Sequence, residues 1–526
     1  MYIKGSRILA VSIAMLIILN LVSGCSAKKS AGGNTELRNT DTSVKQTDVS
    51  KAALKPAKLR FYFPGDKKAA VDEVWDALSE KFKDHLNSTY EVNWIPIGDY
   101  RDKLIVMSAS GDDWDMNYDG PWQAYTQMLN RGAYMDIKEL LPRYAPDLYE
   151  KYKQTGTLKP ATVDGKILSL PWTLSGSLRP WLNWRSDAVK AAGLDIPQGS
   201  IKTIEDVDNV LHRLKKAYPD DVILCVGNIM LGQVFDITLL RDGYMATEFH
   251  NLYVKVDDPA YRLIPIETTE TFRETVKLTR KWVEDGIISK DEMVDKTYAA
   301  DKWFNGQVLA RTITHEYSFS NNPFKDPSYT REYSELYPEN KFFNRTPLGN
   351  GMCINVNSAN PERALMWMNM LQTDQAFYDM VLYGIEGKTY VLDGKAAKYP
   401  AGMSQINSNY MGWAGQWPLW NLDFMRPDET YGDGFWQKEA EYAKEAKNIV
   451  NPMDGLFFNT NGIKNEIARK DQLYEEYGKP LVFGMVKTEK IDEAIEEYLQ
   501  KEKASGLDKI VNECQKQVDA FIKSRQ

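Results

Sequence analysis

Leu59-Arg60-Phe61-Tyr62-Phe63 is an extended, aromatic-rich run, and Pro64-Gly65 turns the chain out of it. The fold class is read outward from this stretch. Val71, Val74, Trp75, Leu78 and Phe82 follow at helical spacing and predict an amphipathic helix over 71–86. Val92 to Ile97 is a second strand, residues 99–109 a second helix, and Trp114-Asp115-Met116-Asn117-Tyr118 a short third strand. Strand, helix, strand, helix, strand means parallel pairing through crossover helices, an α/β arrangement. In such sheets ligands bind beyond the carboxyl ends of the strands. Tyr118, Asp119 and Trp122 lie just past one such end.

Further along, Val163-Asp164-Gly165-Lys166-Ile167-Leu168-Ser169-Leu170-Pro171-Trp172 is a turn followed by an extended run. Residues 186–193 predict a short helix closed by Gly193, and longer helices are expected at about 203–217 and 270–285. Trp303-Phe304-Asn305-Gly306-Gln307-Val308 leads into another strand, and Pro361-Glu362 opens a helix carrying Leu365, Met366, Met368 and Leu371. Phe435 to Ile449 and the charged stretch at about 490–524 both read as helical, and no internal repeat is present.

Toward the N-terminus, residues 25–57 are mostly Ser, Thr, Lys, Asn and Gly, the composition of a flexible tether. Before them, Lys4 and Arg7 precede Ile8 to Val22, an uncharged, mostly apolar run. It has the length of a signal-peptide core and is short of the ~20 residues a membrane span needs. Leu21-Val22-Ser23-Gly24-Cys25 resembles the lipobox of bacterial lipoproteins. The resemblance implies that residues 1–24 are a signal peptide, that the Cys25 thiol carries a diacylglycerol, and that lipid chains hold the mature protein at the extracellular face of the cell membrane.

The 526 residues are enough for two or three packed domains. A formal net charge of −8 leaves no positive field to gather phosphates, so nucleic acid is not an expected partner. Cys225, Cys353 and Cys514 are too few and too scattered for a disulfide framework or a zinc pattern, and read as small buried hydrophobes. Asp115-x-Asn117-x-Asp119-Gly120 looks like the front of a calcium loop, but its twelfth position is Thr126, where a bidentate Glu is required. No metal or other cofactor is expected. GxSxG, HExxH and phosphate-cradling Gly-rich motifs are absent, and His85, His212, His250 and His315 have no partner motif.

Four passages together resemble the extracellular solute-binding proteins of ABC importers, in particular a large Gram-positive lipoprotein branch whose C-terminal region is a domain of unknown function. They are Val163-Asp164-Gly165-Lys166 through Leu170-Pro171-Trp172; Trp303 to Val308; Pro361 to Leu371; and Tyr383-Gly384-Ile385-Glu386-Gly387-Lys388-Thr389-Tyr390 with the ending Glu513-Cys514-Gln515-Lys516-Gln517. The resemblance covers nearly all of residues 58–526. It implies a two-lobe, periplasmic-binding-protein-like fold of type II, each lobe a mostly parallel sheet flanked by helices, with a helical C-terminal region. Lobe 1 is expected to comprise 58–171 plus 348–395, and lobe 2 to comprise 172–347 plus 396–526. Crossings are expected near Leu170–Ser175, near Pro347–Met352 and around Val391–Ala401. The implied function is capture of a solute between the lobes of a monomer and delivery to a membrane permease, without catalysis.

The resemblance favours complex sugars as cargo. A sugar offers apolar C–H faces to aromatic plates and a rim of hydroxyls to polar side chains. Eight of the 14 tryptophans fall in three loop-like stretches, at 114–122, 172–184 and 413–420. Trp122, Trp172, Trp181, Trp413 and Trp417 are candidate plates, with Asp119, Arg179, Glu386 and Gln416 as candidate polar contacts. The same tryptophans equally suit internal packing. Arg179 and Arg185 are placed to clamp a carboxylate, which would point to uronic acids, and exposed solvated arginines fit as well. A secreted glycoside hydrolase, a binding protein for a peptide or other small solute, and an adhesive surface lipoprotein are the alternative classes.

Overall fold

Leu59, Phe61 and Phe63 alternate inward along the strand Ala57–Pro64 and are fully buried. They pack on the helices Val71–Lys81 and Pro361–Thr373: Phe61 lies 5.9 Å from Trp75 and 5.0 Å from Trp367, and those two tryptophans stack at 5.9 Å. Each such side chain contributes about 1.5–3 kcal/mol by leaving water. The structure, a computed structural model, describes residues 54–525 except 174–175, 228–230, 232, 315–323, 345, 405–406, 429–433 and 446. The expected leader, residues 25–53 of the expected tether, with Cys25, and His315 lie outside the described residues, whereas Ala57, expected in the tether, already belongs to the first strand. Residues 54–526 form one compact unit.

Ala57–Pro64 pairs in parallel with Ser88–Ile95 on one side and Met116–Asp119 on the other, the crossover pattern expected from the sequence. Gly351–Ile354 then adds antiparallel to Met116–Asp119, and Leu170–Pro171 antiparallel to Gly351–Ile354. A strand from late in the chain thus completes a sheet begun at its start. A second sheet has Trp181–Arg185 at its centre, flanked by Ala310–Ile313 and Arg331–Glu335, both antiparallel. Its named ladders therefore differ from the mostly parallel expectation, although Leu224 bridges Ala310 in parallel. The sheets are mixed and the class is α/β.

The helices around the second sheet carry clear sequence signals. Thr203 and Asp206 form a capping box at Ile204–Ala217, and Thr269 caps Glu270–Glu284. The C-terminal stretch divides into Ile491–Ala504 and Leu507–Lys523 at Gly506, which takes φ +103°. Lys470 sits buried between Glu267 and Glu502, bonding Glu502 at 2.7 Å, and so ties a C-terminal helix to the turn before Glu270. Among the described residues no helix is long and apolar enough to cross a membrane.

The apolar interior is divided. One cluster joins residues from 59–172 with residues from 348–436. Two others join 182–336 with 481–498, and 240–343 with 453–518. The chain passes between these bodies around 172–178, 343–351 and 436–448. Val391–Asp393 and Ala396–Lys398 form a hairpin whose Ala397 is buried in the first cluster, as are Tyr410, Trp413, Trp420 and Trp436. The helix expected over 435–449 stops at Tyr442 because Asn448 takes up its terminal carbonyl at 2.6 Å, and Asn448–Ile449 pairs with Phe342–Phe343. Cys225, Cys353 and Cys514 are buried and unpaired.

Candidate functional site

Gly120 sets the site. A Cβ there would stand 2.3 Å from the Gly349 carbonyl, so only glycine lets the loop after Met116–Asp119 lie against the 343–351 passage. Trp122 then donates from Nε1 to the same carbonyl at 2.8 Å. Tyr118 stands edge-on to both Trp122 and Trp417, at 5.9 and 5.7 Å, and donates to Asn350 Oδ1 at 2.6 Å. These contacts hold Trp122 and Trp417, each half-buried, as one wall of a cavity of about 270 Å³ that Trp172 also lines.

The opposite wall comes from other elements. Tyr244–Phe249 and Leu252–Lys255 form a hairpin whose two-residue turn, His250-Asn251, has φ +44° and +60°, the type I′ geometry that Asn tolerates well. Phe249, at the end of that hairpin, stacks on Phe458 at 4.7 Å. Phe457, Phe458 and Met453 come from the loop Asn451-Pro452-Met453-Asp454-Gly455-Leu456-Phe457-Phe458. Residues from two bodies of the chain thus line one space, in which Trp122, Trp417 and Phe457 are the half-exposed rings and Trp172, Phe249 and Phe458 are buried.

The polar complement is sparse. Asn344 donates from Nδ2 to the Ala443 carbonyl at 3.2 Å, leaving Oδ1 buried and unbonded. Asp454 likewise has a buried, unbonded Oδ1. Burial pushes its carboxyl up to about 6, opposed by the Thr346 hydroxyl and by the charges of Arg525 and Lys159. Among the described lining residues Asp454 is the one ionisable carboxylate, and no lysine, arginine or histidine is present.

Of the candidates taken from the sequence, Trp122, Trp172 and Trp417 are brought together here. The others are placed elsewhere. Asp119 is buried behind the loop, accepting from the Tyr134 hydroxyl and from the backbone N–H of Gly120 and Ala124; burial pushes its carboxyl up to about 7. Arg179 is fully buried and pairs with Glu335. Trp181 packs between Tyr333 and Tyr442. Trp413 is buried at 1% exposure against Phe63 and Trp94, with no free face for a ligand. Gln416 donates back to the Trp413 carbonyl, and Glu386 stands exposed on a turn away from the cavity. Arg185 is engaged by Asp187. The loop 451–458 was missed, although it shares the Gly, Pro and Asn content of the tryptophan-bearing loops.

Residues 65–376 match the family described as bacterial extracellular solute-binding protein. That match spans more than half of the chain. The protein belongs to the bacterial extracellular solute-binding proteins. Residues 452–523 of this solute-binding protein also match a domain of unknown function, DUF3502, which supplies Met453 to Phe458 to the cavity. Among curated relatives, a carbohydrate ABC transporter substrate-binding protein of Streptococcus pneumoniae serotype 4 is 24% identical over 89% of this chain and 91% of its own. Lipoprotein LipO of Bacillus subtilis is 23% identical over 53% of this chain and 50% of its own. Among solved structures, the N-glycan transport solute-binding protein NgtS of S. pneumoniae, in complex with Man5GlcNAc, superposes with a TM-score of 0.74 at 22% identity, covering 90% of this chain and 100% of that one. FusA of S. pneumoniae, in complex with kestose, gives a TM-score of 0.55 at 16% identity over 89% and 100%. At these identities the superpositions establish the fold of this solute-binding protein, the two-lobed type II arrangement.

Proposed function

We propose that this solute-binding protein captures an oligosaccharide in the cavity between its lobes and delivers it to an ABC permease. The observation that carries the reading is the cavity itself, with the half-exposed rings of Trp122 and Trp417 on one wall and of Phe457 on the other, and the side chains of Asn344 and Asp454 in its lining. Aromatic walls cover sugar faces, and buried acceptors meet hydroxyls. Relatives named for carbohydrate transport, and neighbours solved with Man5GlcNAc and kestose, support the same class. The lobes would be 58–172 plus 348–436 and 178–343 plus 448–525, closing by rotation about the three passages when ligand touches both. The cargo would be neutral, since Arg179 and Arg185, the candidate readers of a uronate, are engaged by Glu335 and Asp187.

Binding would proceed without chemistry. Glycoside hydrolysis by the usual route needs two carboxyl groups flanking the bond, and the described lining carries one. Attachment at the extracellular face through Cys25, with a monomeric chain, completes the reading.

The test uses the chain from Leu54, the start of the compact unit. Its melting temperature is recorded against Man1GlcNAc, Man5GlcNAc, kestose, maltohexaose and a mannuronate hexamer, and each mixture is then examined for cleavage. Ligand at ~100 Kd adds ~2.7 kcal/mol of stability, a readily measured shift. A shift with a neutral sugar and no cleavage supports the reading; cleavage, or a shift with peptides alone, refutes it.

A further inference from the structure

A second space lies on the other side of the wall that includes Phe457. Val163, Gly455, Leu456 and Phe457 line both the cavity and this second, more open chamber of about 640 Å³. The far wall of that chamber is the last helix, Leu507–Lys523, through Glu513, Gln517 and Phe521. Gln517 is spent on structure: it accepts from Asn459 N at 2.8 Å and donates to Asn459 O at 2.9 Å and Glu513 Oε1 at 3.1 Å, fastening the loop to the helix. Two other lining residues are not spent. Asp164 and Asn461 are exposed, and no described protein group bonds either side chain. Asp164 is held at the rim by the turn Asp164-Gly165, with φ +50° and +76°, between the short strands Thr162–Val163 and Lys166–Ile167.

We propose that this second chamber is a subsite for the further units of an extended oligosaccharide, with Phe457 as the plate shared by the two chambers and Asp164 and Asn461 as the hydroxyl partners. The inference rests on the oligosaccharide reading above. It assigns a binding role to the C-terminal domain of unknown function: its loop divides the chambers and its last helix walls the outer one. A ligand confined to the first chamber would leave Asp164 and Asn461 without a task. A longer chain threading past Phe457 would gain both an aromatic face and two hydrogen-bonding side chains.

The experiment is calorimetric titration of the chain from Leu54 with Man1GlcNAc and Man5GlcNAc, or with the di- and hexasaccharide of whichever series raises the melting temperature. The expected result is at least about tenfold tighter binding of the longer ligand. Asp164→Ala/Asn461→Ala should remove most of that advantage and leave the short ligand within about twofold of wild type. Phe521→Ala, on the far wall, should act in the same direction. Equal affinity for short and long ligands, or variants that leave the longer ligand unaffected, would overturn the subsite while leaving oligosaccharide capture intact. Failure of every sugar to bind would overturn both.

Discussion

Arg179 Nε donates to Asn448 Oδ1 at 2.9 Å, joining the chain just after its first passage between the lobes to the chain just after its third. The same guanidinium bonds the Tyr442 hydroxyl at 3.0 Å, pairs with Glu335, and lies over the rings of Phe342 and Tyr442 at 5.3 and 5.0 Å. One fully buried cation therefore gathers the flanks of all three passages. Arg179→Met should cost about 3–5 kcal/mol, because it removes the buried partner of Glu335 and leaves that carboxylate only the longer contact to Lys447 at 3.7 Å. Arg179→Met/Glu335→Gln should recover part of that loss. Urea unfolding midpoints decide it; a loss below about 1 kcal/mol would mean the pair is not structurally engaged.

Trp417 and Trp413 are four residues apart and should respond oppositely. Trp417→Ala opens the cavity wall and should weaken sugar binding by about tenfold or more, with a small stability change. Trp413→Ala empties a core site and should cost about 3–5 kcal/mol with affinity retained. Titration and thermal melting of the two variants side by side check this. A Trp413→Ala protein of normal stability and poor affinity would return Trp413 to the site.

Asp119 gives stability a specific pH dependence. Its carboxyl stands near about 7 in the folded chain against an ordinary 3.8. Between those values the native state holds a proton that the unfolded state has released, so stability is greatest at the acidic end, falls as pH rises through that window, and levels off above it. Asp119→Asn removes this contribution. The stability difference between variant and wild type should therefore move in the variant's favour from roughly pH 5 to pH 8. A difference that stays flat would show that the carboxyl is ionised throughout.

Asp454 predicts a pH dependence of binding. With its carboxyl near about 6, deprotonation between roughly pH 5 and pH 7.5 turns it into the stronger, charged acceptor, so sugar affinity should rise over that range. Asp454→Asn should flatten the profile and bind about tenfold more weakly at the upper end. An unchanged profile would remove Asp454 from the contact set.

The first sheet was legible because period-two and helical patterns alternate cleanly from Leu59 to Tyr118, and Leu59, Phe61, Phe63, Val71, Val74, Trp75, Leu78 and Phe82 do face a core. Among the tryptophans, composition located the loops and could not say which ring turns inward. Trp413 and Trp417 share one loop and differ only in what packs above them. Arg179 looked like a ligand clamp because its partners, Glu335, Tyr442 and Asn448, are far away in sequence. Tertiary packing likewise buries Trp413 and Trp420 of the loop-like stretch 411–420 in the first core.

Gly351–Ile354 sits inside the first sheet, between Met116–Asp119 and Leu170–Pro171, although most of the second lobe separates it from both in sequence. A chain emerging from its N-terminus cannot close that sheet until residue 354 has appeared. Closure of so long a loop is entropically opposed and slow. The early strands therefore keep an open edge until Gly351–Ile354 arrives, so completion of this sheet waits on a pairing of high sequence separation.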